Sequence, residues 1–493
     1  MKTKTFASVA FIPMMLLAAP AWGYDLLQAF TDAEGYDAQL MSARATLSAA
    51  RERVPQAKAG LLPSVSASAG VNRQYADTNI APTRNYTAQT YGINLSYPLY
   101  RRQNVEAYEQ SKLQLTLGEA QYAQAKQDLI VRVAQAYMDL LAAQDNLTTI
   151  LAQKKAIGEQ LAAAKRNFEV GTATVTDQQE AQARYDLAIA QELAARNELD
   201  IRRSALTQLT GKPVDEVKVV RSDVTLQPPT PSVESEWVTA ARRDNYVVQQ
   251  ARVGAEIARR EIDRQRYAHH PTVDVVGQLA HARNASTTVP NLNSNTASLG
   301  LQLAIPLYSG GGIDARVREA AANKDKAEAD IEVAGRQAEQ STRQAFLGVR
   351  SGLAQVRALE AAYRSSRLAL ESNKLGYQVG VRINVDVLNA QQQLFSTQRD
   401  MLKARYDVLL NGLRLKASTG TLTDADVRAV NALLVERSES GELVAPATQP
   451  AAAPSSNAAQ PPANNGTGIQ PPARRRPAPG DRQRGGRLLK PRL

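Results

Sequence analysis

Thr90-Tyr91-Gly92-Ile93-Asn94-Leu95-Ser96-Tyr97-Pro98-Leu99-Tyr100 is the stretch that decides the fold. Tyr91, Ile93, Leu95, Tyr97 and Leu99 alternate with Gly92, Asn94, Ser96 and Pro98, and a period of two puts every apolar side chain on one face of a strand. The pattern returns where Leu299, Leu301, Leu303, Ile305 and Leu307 alternate with Gly300, Gln302, Ala304 and Pro306. Weaker alternation from Ser64 to Tyr75 and from Thr272 to Asn284 gives each of these a preceding partner, joined through loops rich in Asn, Thr, Ser and Pro. Strands of about 10 residues with one oily face, a small polar face and tyrosines at their ends match a transmembrane barrel. Four such strands cannot close, because the smallest barrels that fill their interior have about eight, so several chains must pool their hairpins.

The two hairpins belong to a duplicated unit. Pro98-Leu99-Tyr100 recurs as Pro306-Leu307-Tyr308, and Leu61 to Val65 finds its counterpart in His269 to Val273. Val170-Gly171 followed by Asp177 recurs as Val379-Gly380 followed by Asp386, and Thr210-Gly211 recurs as Thr419-Gly420. Landmarks that keep one order and nearly one spacing indicate an internal repeat, joined by a linker at Pro228, Pro229 and Pro231. Between landmarks, Val133, Ala136, Leu140, Ala143, Leu147, Ile150, Ile157, Leu161, Ala164 and Phe168 step by fours and threes, a heptad seam interrupted only by Lys154. A helix of that extent is about 100 Å long at 1.5 Å per residue and needs partner helices. The expected organisation is an export signal (1–23) and two repeats (24–231 and 232–441), each opening with a helix. The first repeat has strands at about 63–75 and 86–100, a long helix at about 102–169 and a helix at about 177–210. The second has strands at about 271–284 and 296–308 and helices at about 313–376 and 383–418. A tail (442–493) follows.

Composition narrows the chemistry. Among 493 residues there is no cysteine, which removes disulfides, thiolate metal sites and cysteine nucleophiles. Aromatics are only 5%, which suits an elongated Ala-rich helical body. Lys2 and Lys4, the apolar run from Phe6 to Leu17 and the small residues Ala19, Ala21 and Gly23 read as the export signal. Of the net charge of +11, the signal carries +2 and the Pro-rich tail +6, leaving +3 on the body and little support for nucleic acid as a partner. The tail has the composition of a disordered segment. His269, His270 and His281 lack the spacing and acidic partners of a zinc site, and Gly310-Gly311-Gly312 lacks the Lys-Ser or Lys-Thr of a phosphate loop. No catalytic residue, metal or cofactor is assigned, and no enzyme activity is expected.

The informative charges lie where the long helices turn over. Asn167 to Asp177 reads as a glycine stop followed by a Thr or Asp cap, and Gly376 to Asn389 has the same plan. With the duplication, both Pro-Leu-Tyr strand ends and both Val-Gly turns, the chain to about residue 441 resembles the TolC family of outer-membrane channels. The resemblance implies a mixed α and β fold: three chains form a 12-stranded transmembrane β-barrel in the outer membrane, continued by a helical tunnel across the periplasm. It implies a passive exit duct for secreted proteins, drugs or other small molecules, with an inner-membrane transporter and a periplasmic adaptor as partners. By motif position, Asp177, Tyr377 and Arg382 match the family's constriction network, and Asp386 a ring of acidic residues at the entrance. The next ring position is Asn389, where the archetype has Asp, and Gly171 and Gly380 match the turns offered to adaptor tips. The competing class is a periplasmic coiled-coil scaffold without a pore. It accounts for the seam equally well but not for the oily strand face.

Overall fold

The computed structural model describes residues 23–436 apart from 80, 222, 223, 285, 287, 288 and 290; the export signal up to residue 22 and the tail lie outside the described residues. In the first repeat α1 (Leu26–Tyr36) and α2 (Ala38–Ala59) lead into β1 (Ser64–Thr78) and β2 (Ala81–Tyr100), followed by α3 (Arg102–Glu169), α4 (Val175–Thr210) and the short β3 (Val219–Val220). The second repeat runs α5 (Glu234–Asp244), α6 (Tyr246–Arg266), β4 (Thr272–Arg283), β5 (Asn293–Ala304), α7 (Gly312–Gln378) and α8 (Asn384–Ser418). It ends in α9 (Asp424–Asn431) and β6 (Leu434–Val435), which pairs with β3.

Three features depart from the sequence reading. Each repeat opens with two helices where one was expected, because Asp37 and Asn245 are extended and cap the next helix: Asp37 Oδ1 accepts from the Leu40 amide at 2.8 Å and Asn245 Oδ1 from the Val247 amide at 2.8 Å. β2 begins at Ala81, not near 86, because its ladder with β1 continues to Thr78 opposite Ala81. β5 stops at Ala304, not near 308, before Pro306, which has no amide to donate, and before the left-handed Gly310 and Gly311. β2 carries its own Pro98 only with a shift of register beside it.

The sheet order is β1-β2-β4-β5, antiparallel throughout. Register sorts the side chains into rows. Val65, Leu95, Gly277 and Leu299 lie opposite one another on one face, as do Ala67, Ile93, Leu279 and Ala297. The alternate rows, such as Ser66, Asn94, Gln278 and Ser298, face the other way and are polar. Leu299, Leu301 and Leu303 are exposed in the single chain, so this oily face has no cover among the described residues. Both hairpin turns point away from the helices, which all join the sheet at its opposite end. There Arg101 donates to both Asp274 carboxylate oxygens at 2.8 and 2.6 Å, tying the start of α3 to β4.

The main core gathers α1, α3, α4, α8 and α9. Tyr137 is fully buried and donates to the carbonyls of Tyr24 and Lys218, so a polar tip is satisfied inside an apolar cluster. Away from that core the long helices pair: Ile157, Leu161 and Ala164 of α3 meet Ala181 and Ala188 of α4 and Leu388 of α8. Lys154, the polar interruption in the seam, reaches Glu192 of α4 at 2.6 Å. Among the described residues no helix is long and apolar enough to cross a membrane.

Candidate gate at the helical turns

The two turns are built alike. After α3, the Gly171 amide donates to the Phe168 carbonyl at 3.0 Å and Thr172 to Asn167 at 2.7 Å; after α7, Gly380 donates to Tyr377 at 3.1 Å and Val381 to Gly376 at 2.8 Å. This paired closure needs a left-handed residue. Gly171 (φ +79°) and Gly380 (φ +78°) supply it, both in open space. Val170, Val379 and Val381 beside them are exposed, so each tip presents apolar side chains around a glycine.

The equivalent carboxylates have different partners. Asp177 and Asp386 both stand in the first turn of their helices. The N-cap before Asp177 is Thr174, and the two form a reciprocal capping box: Asp177 Oδ2 accepts from the Thr174 amide at 3.1 Å and hydroxyl at 2.7 Å, while Thr174 Oγ1 accepts from the Asp177 amide at 3.2 Å. The N-cap before Asp386 is Ile383, whose side chain has nothing to offer. Asp386 is therefore left for Arg382, whose Nη1 lies 3.6 Å from Oδ2. Gly376 makes room for that arginine, since a β-carbon there would stand 2.7 Å from Arg382 Cγ.

Within one chain, the sequence-derived set thus divides. Arg382 and Asp386 meet; Asp177 caps its own helix; Tyr377 Oη accepts from Asn167 Nδ2 at 3.2 Å. Asn389 accepts from Arg184 Nη2 at 2.9 Å, and the same guanidinium donates to Gln392 at 2.8 Å and pairs with Glu180. Sequence reasoning missed three residues here. Asn384 is 1% exposed, accepts from Gln160 Nε2 and donates to the Asp177 carbonyl at 3.5 Å. Asn167 and Arg184 complete the set, and together these side chains bridge the tips of the first and second helical hairpins. A polar Asn at the start of a helix reads as an ordinary cap, and only the folded chain shows that Asn384 faces inward.

This arrangement sits at the end of a duplicated, strand-anchored helical body, and the outer membrane efflux protein family model matches residues 31–212 and 237–421, once in each repeat. The chain belongs to that family. It is 32% identical over 419 residues to Outer membrane protein TolC of Vibrio cholerae, across 84% of this chain and 95% of that protein. It is 29% identical over 431 residues to the Alkaline protease secretion protein AprF of Pseudomonas aeruginosa, across 86% and 90% respectively. The fold matches the CmeC outer membrane channel of Campylobacter jejuni with a TM-score of 0.71 at 17% identity, over 88% of this chain and 98% of that one. Like its relatives, this family member is an outer membrane protein serving as an exit channel in efflux or secretion, and the family is one of channels, not of enzymes.

Proposed function

We propose that three copies of the chain close a 12-stranded barrel and stack their long helices into a tunnel that conducts substrates passively to the exterior. The observation that carries this reading is the four-stranded sheet, with one exposed oily face and, among the described residues, with β1 and β5 as unpaired edges. In hydrocarbon an open edge leaves backbone groups unsatisfied at several kcal/mol each, so the sheet must continue into other chains until it closes. The polar face then lines the pore.

An inner-membrane transporter and a periplasmic adaptor complete the path, the adaptor meeting the tips at Gly171 and Gly380. Asp177, Tyr377 and Arg382 hold the tunnel narrowed at that end, Asp386 rings the entrance, and Asn389 leaves the next position neutral. Cargo is chosen by the transporter, since a duct of this kind makes no selective contacts of its own; the name of AprF speaks of protease secretion and that of the family of efflux. The test is mass and conductance together. Detergent-extracted protein should have three times the mass of the mature chain and form channels in planar bilayers. A monodisperse monomer without conductance would reject the pore.

A further inference from the structure

We infer that the oily face carries a built site for a phosphorylated glycolipid of the outer leaflet; this rests on the barrel reading above. Height along the strands is the first argument. Rows on one face recur every two residues, about 6.8 Å along a strand and about 5 Å in height at a tilt near 40°. From Leu303 to Asn295 on β5 the outward face therefore spans roughly 20 Å, most of the height of about 25 Å of the apolar band of an outer-membrane barrel. The row at its hairpin end consists of Ala69, Tyr91, His281 and Asn295. Because the helices leave from the other end of the sheet, this row stands at the outer leaflet.

The rows above it, which also hold Val71 and Tyr75, carry two arginines. Arg283, opposite Gln89 and Asn293, is one row farther out, and Arg73, opposite Thr87, is two rows out. Strand spacing and rise set the two about 12 Å apart, and both are exposed. Neither makes a hydrogen bond or ion pair among the described residues. The nearest acid on this face of β1, Asp77, sits beyond them and accepts from Thr83 at 2.8 Å. Two free guanidiniums just outside a membrane band meet the headgroup layer, where paired hydrogen bonds to phosphate are their best partner. Gln89, Asn293 and Asn295 around them offer amides suited to sugar hydroxyls.

Below the charge lies a groove of about 670 Å³, walled by Ile93 and Leu279 on one side and Tyr91 and His281 on the other, with Gly92 and Ala280 in its floor. The upper wall is set: the Tyr91 and His281 rings stack with centroids 6.2 Å apart, and His281 Nδ1 lies 2.6 Å from Asn295 Oδ1. A bound lipid would lay acyl chain in the apolar groove and raise its phosphorylated sugar to Arg283 and Arg73. A phospholipid would fill the groove equally well, but the outer-leaflet height and the amide ring favour the glycolipid.

The test uses purified, delipidated protein in detergent, with bisphosphorylated lipid A and its fully dephosphorylated form as probes, read by native mass spectrometry. Two arginines near a membrane surface should give roughly tenfold to thirtyfold preference for the phosphorylated form. Combining Arg73→Gln with Arg283→Gln should abolish that preference while leaving bilayer conductance unchanged. Excess inorganic phosphate should not displace the lipid, because the groove holds its chains. Equal retention of both probes by the wild type, which needs no variant to fold, would overturn the site. So would an undiminished preference in the double variant, or complete displacement by phosphate. Normal conductance with no lipid preference would reject this site alone, whereas absence of conductance would reject the channel.

Discussion

Ile383 and Thr174 occupy the same place in their repeats, and the difference between them decides which first-turn carboxylate is left free of its own helix cap. Thr174 draws Asp177 into a capping box, while Ile383 leaves Asp386 to Arg382 at 3.6 Å. An exposed pair four residues apart contributes about 0.3 to 0.5 kcal/mol, so Arg382→Ser should barely move the thermal midpoint. Its effect belongs to the channel. Single-channel conductance should rise in Arg382→Ser and in Tyr377→Phe, which strains or removes the link to Asn167, and rise further in the combination. In the proposed trimer, Arg382→Ser would also unpair three Asp386 carboxylates in the entrance, so multivalent-cation block should tighten; with Asp386→Asn added it should disappear. Unchanged conductance and block in all of these would place the residues away from the entrance. The capping motifs and glycine turns of this region are local and legible in sequence. The links through Asn167, Asn384 and Arg184 are not, because each joins residues about 200 positions apart that only the repeat packing brings together.

At the scale of elements, hydrophobic period carried most of the information. Alternation identifies the strands because one face is oily and the other polar, and the seam from Val133 identifies the long helix because it is buried or half-buried at every step up to Ala164, with Phe168 at its end exposed. The breaks at Asp37 and Asn245 were illegible, since the apolar pattern runs through them and a single capping residue decides. Substitutions on the two faces of β2 separate them: Leu95→Arg, in the middle of the oily band, should cost about 2 to 4 kcal/mol and deplete assembled protein, whereas Asn94→Lys on the polar face should be tolerated. Equal tolerance, measured as trimer recovered from membranes, would favour a soluble sheet. The joint between α1 and α2 gives a pH test. Burial pushes the Asp37 carboxyl up, but the Arg132 hydrogen bonds at 2.9 and 3.0 Å, the Leu40 amide and the Arg132 charge outweigh it and hold the group below its ordinary 3.8. A depressed folded value means stabilisation that is complete above 3.8 and lost as pH falls through the folded value. Arg132→Ala should therefore lower stability by roughly 1 to 3 kcal/mol at neutral pH, and its thermal midpoint should approach that of the wild type in acid. A gap that stays constant on acidification would show that the pair contributes nothing through charge.

For the whole molecule, what the chain withholds from itself is the argument for assembly. Among the described residues its sheet has a polar face with no core behind it, an oily face with no cover and two edges with no partner, all of which would be satisfied at once by the proposed closure with further copies in a membrane. In the proposed trimer, cyclic closure would place equivalent residues at equivalent positions around one axis, so each copy would contribute one Asp177, Tyr377 and Arg382 set and one Asp386 carboxylate to a single pore. That geometry makes the number of subunits countable by function. Wild-type and Asp386→Asn chains, produced together in equal amounts and purified without separation, should assemble at random, because the substitution lies in the helical tip and far from the barrel seams. Single channels from the mixture should then fall into four classes of multivalent-cation block, carrying three, two, one or no carboxylates, in proportions of about 1:3:3:1. Block should weaken stepwise across the classes, since each carboxylate adds to the same focused field. Two classes alone would mean that each chain forms its own pore, and three would mean a dimer; either result would overturn the trimeric duct, while four classes with unequal spacing would show that the carboxylates bind the cation together and not one by one.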